Sequence, residues 1–192
     1  MGMLSGIGID FIRLVFGVLL FLLTLRLLLQ LFRTDFYNPL SQQIVRATAF
    51  LDPLRHALKA WHGLDLATLL AIVALKLAEI AVVSQVALGQ LPGPAMMIAA
   101  TGVSLVDQLA GFFFFAIIAV VILSWVAPDG RNPATQLLWG LTEPVLGPAR
   151  RLLPPMGGLD LSPIIVMFLI HVVRAYLVPL LANVAGVPLG FV

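Results

Sequence analysis

The sequence predicts an all-α, polytopic membrane protein: four transmembrane helices as two parallel tandem hairpin repeats, with amphipathic interfacial helices on one surface. Composition is the first reason. Of 192 residues, 61% are apolar and 10% charged, with a mean hydropathy of +1.09; a soluble domain carries roughly 45–50% apolar and about 25% charged residues. The second reason is four apolar runs of about 20 residues, the length a helix needs to cross about 30 Å of hydrocarbon. The third is a motif that recurs after the first and third runs. Eleven Lys and Arg against nine Asp and Glu give a net charge of +2, too small and dispersed to suggest a nucleic-acid partner. With no cysteine, disulfides, iron–sulfur clusters, thiol catalysis and Cys-rich zinc sites are excluded.

The first span covers residues 11–32. No Lys or Arg precedes it, and the run is too long for a signal-peptide core and lacks a small-residue cleavage pattern behind it, so it should remain as a span. In the loop 33–65, Leu40, Ile44, Ala47, Leu51, Leu54 and Leu58 form a stripe at helical spacing, an amphipathic helix along the membrane surface. Asp65 to Thr68 has the chemistry of a helix start and opens the second span, residues 66–88. After a turn at Leu91-Pro92-Gly93-Pro94, the apolar residues 95–106 either extend the third helix outward or form a separate surface helix. About twelve residues reach only about 18 Å, too short for a fifth span. The third span is placed at residues 108–126.

In the loop 127–162, Leu138, Leu141, Val145, Ala149 and Leu152 repeat the stripe, interrupted by Pro144 and Pro148. Proline removes a backbone donor and disfavours helix in the residue before it, so two short helices with a bend are expected. Gly157-Gly158 permits a tight turn, and Asp160-Leu161-Ser162-Pro163 starts the fourth span, residues 163–184. Asp65 and Asp160 each read as a helix cap or as a partner for a loop arginine. None of the runs alternates apolar and polar residues, which excludes a transmembrane barrel.

Arg33, Arg46, Arg55 and Lys59 lie between spans one and two, and Arg131, Arg150 and Arg151 between spans three and four. The middle connection and both termini carry no Lys or Arg beyond the spans. The positive-inside rule therefore puts both long loops in the cytoplasm and both termini in the periplasm. Trp61, Trp125 and Trp139 fall on the same inner boundary, where indole rings favour the headgroup level. Arg46, Arg55, Lys59, Arg150 and Arg151 would form a platform for anionic lipid headgroups or a partner protein; equally, these helices could merely pack against their own spans.

The repeat divides the chain into halves at 1–92 and 93–192. The first contains Asn38-Pro39, Thr48, Pro53-Leu54-Arg55 and Gly63-Leu64-Asp65-Leu66-Ala67. The second contains Asn132-Pro133, Thr142, Pro148-Ala149-Arg150 and Gly158-Leu159-Asp160-Leu161-Ser162, one residue longer between Thr and Pro. Duplication of a two-span unit is the economical explanation, and a unit that crosses twice gives parallel repeats. With Thr142-Glu143-Pro144, Pro148-Ala149-Arg150-Arg151, Leu152-Leu153-Pro154-Pro155 and Gly157 to Pro163, the chain resembles the YggT family, also called YlmG, with cyanobacterial and plastid relatives. The match is best over residues 132–163. The first copy departs from it, with Phe50 in place of Pro144, His56 in place of Arg151, and Ala67-Thr68 in place of Ser162-Pro163. The motif residues carried over are therefore Asn132, Pro133, Thr142, Pro144, Pro148, Arg150, Arg151, Pro154, Gly158, Asp160, Ser162 and Pro163. The resemblance implies a bacterial inner-membrane protein involved in osmotic or ion homeostasis, cell division or membrane-complex maturation; it supplies no reaction.

Ionisable groups in hydrocarbon are costly and need partners. Lys76 and Glu79 sit in span two, His171 and Arg174 in span four, and Arg26 in span one. Glu79 and Arg174 lie equally far from their helix starts, so an ion pair between them is expected to lock the hairpins together, with Arg26 as a competing partner for Glu79. Glu79 is then the single acid within the spans, and Arg13 snorkels at the outer boundary. Alternatively, the four charges of spans two and four line a polar pathway for potassium or protons, which would require a homo-oligomer. His56, His62 and His171 are scattered, and no nucleophile elbow or phosphate loop occurs, so neither metal, cofactor nor catalysis is expected. The expected role is a non-enzymatic scaffold or assembly partner for another membrane protein.

Overall fold

The computed structural model describes residues 3–58, 60–61, 63–126, 132–153, 160–188 and 190. Among them the chain is helical, with no strand. Helix α1 is Met3–Leu31, α2 is Pro39–Ala47, and a 3-10 turn at Ala49–Leu51 leads into α3, Asp52–Ala57. Then come α4, Leu66–Leu88, α5, Pro94–Val126, and α6, Pro133–Leu152. Helix α7, Ser162–Val172, continues through a π-helical turn at Val173–Leu177 into α8, Val178–Val184. Among the described residues four stretches are long and apolar enough to cross a membrane: Gly6–Leu31, Leu66–Leu88, Pro94–Val126 and Ser162–Val184.

Helix α1 packs chiefly on α4, α4 also on α5, and α5 on the α7–α8 unit. At one end Leu25, Leu28 and Leu29 of α1 meet Phe112 and Ala116 of α5 and Leu137 and Leu141 of α6 in a shared cluster. Toward the other end Ile80 packs with Ala100, Val103, Val178 and Ala182. Helix ends follow local chemistry. Asp65 caps α4 at its start, and Gly89 stops it in the left-handed region at φ 70°, a conformation glycine adopts without a Cβ penalty.

Of the two alternatives for residues 95–106, extension of the third helix is the one that holds. Residues 95–106 are continuous with the third span, so α5 runs for 33 residues, about 50 Å at 1.5 Å per residue, well beyond the hydrocarbon thickness of about 30 Å. Pro94 serves as its first residue, where the missing N–H costs no intrahelical bond. Asp107 consequently lies inside the helix rather than at a boundary.

The two loop segments also reverse their expected continuity. The stripe from Leu40 to Leu58, expected as one helix, is broken at Thr48, which has left helical geometry at φ −108° and ψ 15°. The proline-containing stripe, expected to break, is one helix of 20 residues. Pro144 and Pro148 are four residues apart, hence on one face, and both are exposed. The carbonyls they leave unpaired can be hydrated there, so the helix persists.

Candidate functional site

The charged residues assemble into a network at the end of the bundle where α1 and α5 finish, and two pairs within the spans. Asp65 Oδ1 accepts from the Thr68 backbone N–H at 3.2 Å, capping α4, while its Oδ2 accepts both the Thr68 hydroxyl and Arg55 Nε, each at 2.7 Å. Asp160 accepts from the Ser162 N–H at 2.9 Å and from Arg150 Nε at 2.9 Å. Each arginine also meets a second acid that lies between the threonine and arginine of its motif. Arg55 lies 3.6 Å from Asp52, and Arg150 bonds Glu143 at 2.5 Å. The two segments therefore share one geometry, an arginine between two carboxylates, with one carboxylate at the start of the next span.

These contacts shift proton affinities. The Arg26 hydrogen bond, aided by Arg55, holds the Asp52 carboxyl below its usual range. Burial pushes Asp160 upward, but its bonds to Ser162 and Arg150 prevail and lower it. Burial likewise opposes the charge on Arg150, yet Asp160 and Glu143 raise its affinity for the proton.

Arg26 explains the break at Thr48. Its side chain is 3% exposed; it donates to the Thr48 carbonyl, to Thr48 Oγ1 at 2.7 Å and to Asp52 at 2.6 Å. The same carbonyl accepts the Leu51 N–H at 3.1 Å in the 3-10 turn, so Arg26 holds Thr48 in a tightened turn instead of the i to i+4 bond a continuing α-helix would make. Twenty-two residues before Thr142 stands Val120, as Arg26 stands before Thr48. An apolar side chain there makes no such claim on the second segment. Thr48 and Thr142 each bond the carbonyl four residues back, of Ile44 and Leu138, at 2.6 and 2.8 Å.

Asn38 and Asn132 cap their helices by accepting from Leu40 N and Ala134 N, each at 2.9 Å. Asn38 does more: its Nδ2 donates to the Pro133 carbonyl at 2.7 Å, tying the two Asn-Pro turns together.

Within the spans the expected Glu79–Arg174 pair does not form. Lys76 bonds Glu79 at 2.7 Å within α4, and Arg174 bonds both oxygens of Asp107 at 2.7 and 3.0 Å. Equal depth left the azimuth undetermined, and placing the third span at 108 hid Asp107; the i,i+3 spacing of Lys76 and Glu79 was the signal for the local pair. Arg174 sits in the π-helical turn, next to Gly111 of α5. Arg26, the other expected partner of Glu79, belongs to the loop network, and Arg13 donates to the Gly190 carbonyl at 2.8 Å. His171 is exposed on α7. Lys76 and Asp107 line one cavity of about 450 Å³ between α1 and α5.

Of the platform residues, Arg55 and Arg150 are committed to carboxylates of the chain itself, whereas Arg46 and Arg151 are exposed. Pro133 and Pro163 each occupy the first turn of a helix, and Ser162 is buried at the start of α7. Lys59, His62, Arg131, Pro154, Gly157 and Gly158 lie outside the described residues. Among the described residues no group of three His, Cys, Asp or Glu could hold a metal.

Four apolar spans, with paired charges inside and at one end, define a multi-pass helical membrane protein. The model of the CCB3/YggT family matches residues 5–86 and 99–181. An uncharacterized protein of Pseudomonas aeruginosa is 41% identical over 88% of this chain and 87% of its own. An uncharacterized Vibrio alginolyticus protein is 37% identical over 81% and 84%, and Escherichia coli YggT, also described as uncharacterized, is 36% identical over 79% of each chain. No solved structure matches. The chain belongs to the CCB3/YggT family.

Proposed function

We propose that this protein is a non-enzymatic inner-membrane scaffold or assembly partner, a duplicated two-span unit serving osmotic or envelope homeostasis or cell division. The observation that carries the reading is the closure of intramembrane charge. Lys76 meets Glu79, Arg174 meets Asp107, and Arg26 meets Asp52, each within 3 Å. Pairs of this kind neutralise costly groups and hold helices in place. The final span supports a partner role, because only 11% of its most apolar stretch is buried within the chain, leaving a face for lipid, another copy or another protein. Trp61, Trp125 and Trp139 are all exposed, consistent with helices lying along the cytoplasmic interface, where Arg46 and Arg151 would meet anionic headgroups. Periplasmic termini follow from the same basic loops.

The alternative is a potassium or proton channel component, and it draws on Lys76 and Asp107 sharing a cavity. Affinity purification from native membranes, recording oligomer size and partners, combined with ion flux in liposomes containing the protein alone, separates the two. A stable complex with silent liposomes supports the scaffold; potassium or proton flux lost on Asp107→Asn would replace it with the channel.

A further inference from the structure

Helices α1 and α5 flank the cavity of about 450 Å³, a size typical of sites for small organic ligands. They are bridged by a hydrogen bond from Gln108 to Thr24 at 3.0 Å. Its walls are of two kinds. Phe21, Phe112 and Phe115 present aromatic surface, with the first two rings 5.8 Å apart between their centroids. Lys76 and Asp107 supply polar groups among them. Each charged wall group is backed by its opposite charge, Glu79 behind Lys76 and Arg174 behind Asp107, so the lining has no net charge to offer an ionic head. The Lys76 ammonium still has donors to spare, since it has three and, among the described residues, Glu79 is the partner it bonds.

From this combination we propose that the cavity binds an uncharged, long-chain amphiphile with a planar carbonyl-bearing head, the chemical class of the isoprenoid quinones. The planar head lies against the phenylalanine rings, where offset or edge contact is favourable. A head carbonyl accepts from Lys76 Nζ, and the apolar chain leaves along α1 past Gly17, where an added Cβ would meet nothing within 4 Å. The site is independent of the scaffold reading: a complex can form without it, and it can be filled in a protein that has no partner.

The test uses the full chain in phospholipid nanodiscs equilibrated with decylubiquinone, with bound quinone extracted and measured against empty discs. Wild type should retain a saturable excess near one quinone per chain. Gly17→Trp, which fills the space, should abolish that excess. Gly102→Trp, at another open glycine of the same bundle outside the cavity lining, should retain it. Should Gly17→Trp fail to fold, the double variant Lys76→Leu with Glu79→Leu decides, because replacing a buried ion pair by apolar residues is often tolerated. Loss of the charged donor should weaken binding about tenfold or more. Quinone uptake no greater than in empty discs, or an excess unchanged in whichever of these variants folds, overturns the proposal.

Discussion

Replacing Arg26 by methionine keeps most of the buried volume and removes the guanidinium that joins α1 to the first loop segment. Arg26 is 3% exposed and Thr48 1%, so water does not readily replace what is lost. The charge-assisted bond to Asp52 is worth about 1.5–3 kcal/mol, and the lost bonds to the buried Thr48 carbonyl and hydroxyl, the carbonyl keeping only its bond from the Leu51 N–H, cost about 1–3 kcal/mol more. Together these give about 3–5 kcal/mol, in line with the loss found when one partner of a buried ionic pair is removed. Arg26→Lys should fall between wild type and Arg26→Met, because a single ammonium cannot serve both Thr48 and Asp52 as a planar fork does. Asp52→Asn should cost less, since the Asp52 side chain is 43% exposed and Arg26 keeps its bonds to Thr48. The assay is denaturant unfolding in detergent micelles followed by tryptophan fluorescence. An Arg26→Met loss below about 1 kcal/mol, or full recovery with lysine, would refute the assignment of Arg26 as the residue that organises the break.

Three further outcomes follow from the contacts. Reversing Asp107 or Arg174 singly should sharply reduce monodisperse protein after extraction, and Asp107→Arg with Arg174→Asp should restore most of it; Glu79→Arg with Arg174→Glu should not. Asn38→Ala should destabilise by about 2 kcal/mol, from a lost cap and a lost buried hydrogen bond, against about 1 kcal/mol for the exposed Asn132→Ala, which loses only the cap; thermal unfolding of the two variants side by side measures the difference. Asp52 and Asp160 both titrate below the ordinary value of 3.8, so their stabilising contribution is present above that value and is lost as pH falls below it toward their folded values. The unfolding midpoint should therefore decline with acid below about pH 4, and the decline should be smaller in Asp52→Asn and Asp160→Asn.

Much of the molecule was legible because it depends on short-range physics. Apolar length determines a span wherever backbone groups cannot reach water, and all four such stretches are helices. Helix starts were equally readable: Asp65, Asn38 and Asn132 act on amides two or three residues away, within the reach of sequence spacing. The unread parts involve facing elements. Depth along a helix suggested Glu79 for Arg174, but depth says nothing about azimuth, and the partner is Asp107 on α5. Asp107 falls just outside a third span placed at 108–126, whereas the helix extends back to Pro94, about 20 Å further along its axis, and carries Asp107 within it.

The loop segments mark the boundary between the two kinds of information most clearly. The sequence alone determined that both are apolar on one side and that each carries Asn-Pro, Thr and Arg in register. Proline spacing argued for a break in the second and a continuous stripe argued for none in the first. Only the tertiary structure decided otherwise, because Arg26, from a different helix, captures the Thr48 carbonyl in the first, while exposed prolines leave hydratable carbonyls in the second. Local propensity fixes what a segment can do; a buried guanidinium arriving from across the fold determines what it does.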